Sequence, residues 1–140
     1  VTLPSGGTAD LAASRTKFFW PAVMFFSQHL LVRYLPNATV QDFRRLFDAG
    51  FRYGKSVNRV PLFRGLQFGY FILPVIAVDR ATQELKDFAS AAPKKHWALF
   101  EFPVLHELTT GRTYFHRSTP LWGALINHEV RKLAEEIVEG

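Results

Sequence analysis

Residues 68–79 read "FGYFILPVIAVD", a run dense in aromatic and β-branched side chains with no polar residue at alternate positions. That pattern marks a strand buried on both faces, not one with a solvent side. Downstream, Asp79 is placed to cap a helix through Leu85, Phe88 and Ala92 that Pro93 ends. The following stretch, "HWALFEFPVLHELTTGRTYFHR" over residues 96–117, carries a hairpin signal at Thr109-Thr110-Gly111-Arg112, with Gly111 in the left-handed position of a bulged turn. A strand, a crossover helix and a second strand make a right-handed parallel pair, and the hairpin adds an antiparallel third strand.

Upstream, "PAVMFFSQHLLVRYL" over residues 21–35 reads as a mostly apolar helix that Pro36 stops. A second helix begins at Thr39, with Asp42 three residues on and Phe43, Leu46, Phe47 and Phe51 at helical spacing. At the other end, Thr119 and Pro120 open a last helix with an apolar stripe at Leu121, Trp122, Leu125, Ile126, Leu133 and Ile137. The expected fold is α+β (mixed α/β): a small three-stranded mixed sheet packed against about four helices, with residues 1–16 a flexible leader and 17–140 one domain.

Proline has no N–H to give a ladder, so Pro74 and Pro103 are expected at a bulge or facing an unpaired edge. Both sit in similar segments, "FILPVI" and "FEFPVL", with "FFWPAV" a third; in a chain with eight prolines and fourteen phenylalanines the likeness reads as chance. From Val75 to Ile137 the order of strand, helix and proline-led hairpin resembles the C-terminal half of thioredoxin-like domains, with Pro103 where such folds place a proline before a strand. That resemblance implies a thioredoxin-like alternative for the fold, without a Cys-x-x-Cys.

Composition narrows function by exclusion. The 140 residues are enough for one domain with a real core, and 48% hydrophobic with 21% charged is the balance of a globular chain. The absence of cysteine removes disulfide scaffolds, thiolate metal sites and thiol catalysis. Fourteen Phe, three Trp and four Tyr are a large aromatic load for a small domain, and a net charge of +5 favours an anionic partner. The uncharged stretches 18–32 and 65–78 are shorter than the roughly 20 residues of a spanning helix. The chain begins with Val1, which reads as processing or a fragment, and with the basicity it carries the expectation of an intracellular protein, mitochondrial or membrane-associated.

Gly54-Lys55-Ser56 copies the end of a P-loop, but Gly50 stands one residue too close, and Phe51-Arg52-Tyr53 is too bulky for a phosphate cradle. Gly50 is read instead as the end of a helix and Gly54 as easing a turn. His128-Glu129 begins like a zincin helix, yet the second histidine falls on Lys132. Ser56 and Ser118 occupy no nucleophile elbow. With the turn assumed above, Leu108 faces Arg112 and His106 faces Tyr114, which puts His106 and His116 diagonally on one face as a minor polar site. Neither metal nor cofactor is expected.

What remains is residues 42–64, where Arg44, Arg45, Arg52, Lys55, Arg59 and Arg64 stand against only Asp42 and Asp48. Phe51, Tyr53 and Phe63 are interleaved with them. Arginine beside aromatic rings suits a protein interface, and it equally suits phosphate contact with base stacking. The expected function is a non-catalytic structural or interaction protein, an accessory subunit that docks through this segment and its aromatic-rich helices. Binding of nucleic acid or acidic lipid is the second reading, a small hydrolase or lyase using His106 and His116 the third, and a homo-oligomer is compatible with the first.

Overall fold

The computed structural model describes residues 8–19, 24–57, 68–92, 95–96 and 99–116. Its centre is the quoted run, the strand β3 (Phe68–Val78), which has neighbours along both edges and buried side chains on both faces. Two strands precede it, β1 (Leu11–Phe19) and β2 (Met24–Tyr34), then helix α1 (Val40–Val57). After it come helix α2 (Gln83–Ser90) and the short strands β4 (Lys95–His96), β5 (Leu99–Glu101), β6 (Val104–Glu107) and β7 (Arg112–Tyr114).

The seven strands form one mixed sheet five positions wide. β2 runs parallel to β3 over ten paired residues, Phe25↔Phe68 to Tyr34↔Ala77, and β1 runs antiparallel to β2 from Leu11↔Val32 to Phe19↔Met24. On the other side of β3, β5 and β6 are parallel to it and keep one register, Tyr70↔Leu99 and Val75↔Val104, so they are two halves of one interrupted strand. β4 pairs antiparallel with β5, and β7 with β6.

A wide sheet with two described helices replaces the expected three strands against about four helices, and the thioredoxin-like alternative falls with it. The physical reason lies in β2. Ser27, His29 and Leu31 are buried toward α1 while Leu30 and Val32 pack on the opposite face. Both faces are therefore buried, and a strand buried on both faces cannot be told from a buried helix by periodicity. Residues 11–16, expected in a leader, lie in β1, against β2. The expected helix from Thr119 lies outside the described residues.

α1 forms where its caps and stripe predict. The Thr39 N–H donates to Asp42 Oδ2 at 2.8 Å, and the Asp42 N–H to the Thr39 carbonyl at 3.0 Å, closing the first turn. Phe43, Leu46, Phe47, Gly50 and Gly54 are buried at successive turns. The helix does not end at Gly50 or turn at Gly54. Both glycines are mid-helix, where the sheet comes too near for a side chain: a Cβ on Gly50 would lie 2.5 Å from Leu31 Cδ1 and 2.8 Å from Ile72 Cγ2. Continuous helix here also leaves no loop to wrap a phosphate. The cap of α2 is Thr82 rather than Asp79, its Oγ1 accepting from the Leu85 N–H at 3.3 Å.

Because the sheet advances in one direction from β2 to β3 to β5, right-handed crossovers set both helices on the same face. Phe43 of α1 meets Phe88 of α2 there, ring centroids 5.4 Å apart, over Ile72, Ile76, Val78 and Leu105. The opposite face carries a second buried cluster of Phe71, Leu73, Val75, Phe102 and Val104.

The two prolines stand at the same height in adjacent strands, since the register that pairs Ile72 with Glu101 and Val75 with Val104 sets Pro74 beside Pro103. The Phe102 N–H donates to the Ile72 carbonyl and the Leu108 N–H to that of Val78, so even-numbered residues of β3 address this edge. The donor missing at Pro74 thus removes one rung between β3 and its neighbour, and the break between β5 and β6 falls there. The donor missing at Pro103 faces the other way, into the gap between β4 and β7. Gly111, with φ of 65°, makes the turn into β7.

Gly50→Ala is expected to destabilise the fold by about 1 kcal/mol, because overpacking against the stiff Ile72 outweighs the helix propensity gained. A urea midpoint at or above that of the wild type would show that Leu31 and Ile72 give way freely.

Candidate functional site

With α1 defined, the cations of residues 42–64 can be placed. At about 100° per residue, Arg44, Arg45, Arg52 and Lys55 fall within roughly a 100° arc of the helix, some 16 Å long, and all four are exposed. Asp48 stands inside the same arc. Arg45 lies 3.7 Å from Asp42, and the Arg52 Nε–H donates to the Asp48 carbonyl at 3.3 Å. Lys55 Nζ sits 5.3 Å above the Phe51 ring.

The aromatic members differ from the cations. Phe51 and Tyr53 are half-buried and engaged inward, Phe51 edge-on to Tyr70 at 5.6 Å and Tyr53 edge-on to His29 at 5.9 Å. Arg59, Phe63 and Arg64 lie outside the described residues. The structure therefore brings four cations of the expected segment together, with Phe51 at their rim.

The expected pairing of His106 with Tyr114 and His116 is corrected. The turn holds one residue more than assumed, so Glu107 pairs with Arg112, His106 with Thr113 and Leu105 with Tyr114. A slip of one residue exchanges the faces of a strand. His106 Nδ1 lies 2.9 Å from Thr113 Oγ1, whereas His116 Nδ1 reaches the Ser90 carbonyl at 3.1 Å, and Tyr114 joins Glu107.

Glu107 is 5% exposed and fully engaged. Oε1 accepts from the Ala81 N–H at 2.9 Å; Oε2 accepts from Thr110 Oγ1 at 2.9 Å and Tyr114 Oη at 3.1 Å, with Lys86 Nζ at 3.5 Å. These donors, the Ala81 N–H first, hold its carboxyl down at about 2. This carboxylate ties the hairpin to the start of α2, a structural clasp with donors on both of its oxygens. Among the described residues no group of His, Asp or Glu could hold a metal, and no helix is long and apolar enough to cross a membrane.

A second polar group was not read from the sequence. Register places Ser14 opposite His29 and Thr16 opposite Ser27, all four toward α1. Ser14 Oγ is 2.7 Å from His29 Nδ1, Ser27 Oγ is 2.9 Å from Nε2, and Thr16 Oγ1 is 3.5 Å from Ser27 Oγ. The ring is 1% exposed, stacked on Tyr70 at 6.1 Å and lying beneath Gly54, whose added Cβ would come 2.6 Å from Nε2. With no carboxylate beside it among the described residues, burial pushes its pKa down from 6.5 to about 4. Its one sequence signal was three polar residues, Ser27-Gln28-His29, inside an apolar run. Ala13, Ser14, Gln28, His29, Leu30, Phe71 and Leu73 line a mostly apolar pocket of about 130 Å³.

Two titrations with separate windows follow. His29 stays neutral when folded but takes a proton when unfolded, so its share of stability is full above about pH 6.5 and lost as pH falls toward 4; the loss is on the order of 3 kcal/mol. Glu107 stays charged when folded, so its share is lost lower, as pH falls from about 4.5 to 2. Denaturation at closely spaced pH should show both descents. The lower one should shrink in Glu107→Gln, leaving the share of Asp42, whose carboxyl is also held below its ordinary value, and a wild-type stability flat from pH 6.5 to 4 would contradict the His29 assignment.

Compared with protein-family models, curated proteins and solved structures, the chain finds no significant match in any of the three.

Proposed function

We propose that this chain is a docking domain that binds an acidic protein surface through the exposed face of α1. The observation that carries this reading is the gathering of Arg44, Arg45, Arg52 and Lys55 on one arc of a helix whose other side is anchored in the core. Arginine on a rigid helix is a low-entropy donor array for carboxylates, and the adjoining Phe51 supplies an apolar rim.

A protein partner is favoured over nucleic acid for two reasons. Stacking on bases needs free ring faces, whereas Phe51 and Tyr53 are half-buried and Lys55 lies over the Phe51 ring. Asp48 also stands among the cations, a cost against a uniformly charged phosphate backbone but a register mark against a mixed protein surface.

The test must spare Phe51, which packs on Tyr70 and whose removal would disturb the core. Arg44→Glu, Arg52→Glu and Lys55→Glu change only exposed positions, and the triple variant should keep the wild-type melting profile. In affinity capture with quantitative mass spectrometry, acidic proteins retained by the wild type should fall on the variant by about tenfold or more. Equal recovery on the two would remove α1 as the docking face. Retention dominated by nucleic acid, with a steep logarithmic dependence on salt, would replace the protein reading by the phosphate one.

A further inference from the structure

The polar group around His29 has the elements of an activated nucleophile, and it lies apart from the cations of α1. A weakly reactive hydroxyl becomes a nucleophile when a base sits within hydrogen-bond reach and a third group orients that base. Ser14 is an exposed residue of the edge strand β1, and its hydroxyl makes a part-buried bond inward to a ring that is buried. The ring is held on every side, by Tyr70 and Tyr53 and by the close approach of Gly54. A relay with one direction satisfies all its members: Ser14 Oγ–H donates to Nδ1, Nε2–H donates to Ser27 Oγ, and Ser27 donates to Thr16.

We infer that Ser14 is a base-activated nucleophile that accepts an acyl group from a thioester or aryl ester, with His29 as general base and Ser27 as the residue that positions the imidazole. In the step, Ser14 Oγ bonds to the carbonyl carbon as its proton passes to His29 Nδ1. The bond from that carbon to the leaving sulfur or oxygen then breaks. The thiol or phenol departs with the proton, leaving an ester on Ser14 and a neutral imidazole. Among the described residues no charged side chain faces the ring: β1 and β2 present Ser14, Thr16 and Ser27, α1 presents Tyr53 and Gly54, and β3 presents Tyr70. An imidazole buried in this way is always available as a base at neutral pH, but it is a weak one. Among the described residues no carboxylate stands beside the ring to stabilise its imidazolium, so donors with good leaving groups react and amides do not.

The test is acylation of the intact chain by p-nitrophenyl acetate, followed by mapping of the adduct by mass spectrometry. A burst of nitrophenolate of one per chain is expected, with acetyl on Ser14. Its rate should rise through the imidazole pKa of about 4 and then level off. Ser14→Ala, an exposed change, removes the adduct with an unchanged circular dichroism spectrum. Ser27→Ala slows the burst by roughly tenfold or more while leaving Ser14 in place. Acetyl mapped only to other residues would overturn the inference. So would a Ser14 rate that climbs continuously with hydroxide, as for an ordinary serine, and that measurement needs no variant.

Discussion

Everything described in this fold leans on the burial of β3 from four directions. Its even-numbered side chains support α1 and α2, its odd-numbered ones found the second cluster, and its two edges take β2 on one side and β5 with β6 on the other. A strand so placed has no polar option at any position, and from Tyr70 to Val78 its sequence has none. The neighbours inherit the constraint. β2, parallel to β3, is also buried on both faces, and α1 comes so near the sheet that a Cβ at Gly50 would crowd Leu31 and Ile72 and one at Gly54 would crowd His29 and Tyr70.

This inheritance explains what the sequence made legible. Elements with one buried side show it: α1 has its stripe and its Thr39 cap, and the hairpin has Gly111. β3 was readable because β-branched and aromatic residues crowd a short span. β2 was not, because its residues serve two cores at once and leave no period, and its leucines fit either structure. Its strand character is decided by the pairing with Phe68 to Ala77, more than forty residues away, which no local window contains. The width of the sheet was lost with it, since β1 takes its place from β2.

The candidate sites divide in the same way. The cations of α1 were legible because helical spacing alone gathers them. Tyr114 was assigned to His106 because one extra residue in a turn exchanges the faces of the next strand, and no propensity fixes a loop length to one residue. His29 was missed because its partners Ser14 and Ser27 converge on it only once β1 and β2 pair. The two polar groups that resulted have opposite characters. Glu107 is charged and fully paired, and its work is to fasten a hairpin to a helix. His29 is kept neutral by burial and has one partner, Ser14, that is an exposed residue.

Pro74 has a role beyond the folded state. The segment Phe71 to Ile76 is hydrophobic, uncharged and rich in β propensity, the composition from which unfolded chains stack into cross-β fibrils. Such stacking requires each residue to donate to the copy above, and a proline at the centre of the segment withholds that donor at every layer. In the native sheet the same withheld donor removes one rung, where flanking residues on both sides keep the register. The central strand thus carries its own gatekeeper, which costs a folded chain little and an aggregating one a great deal.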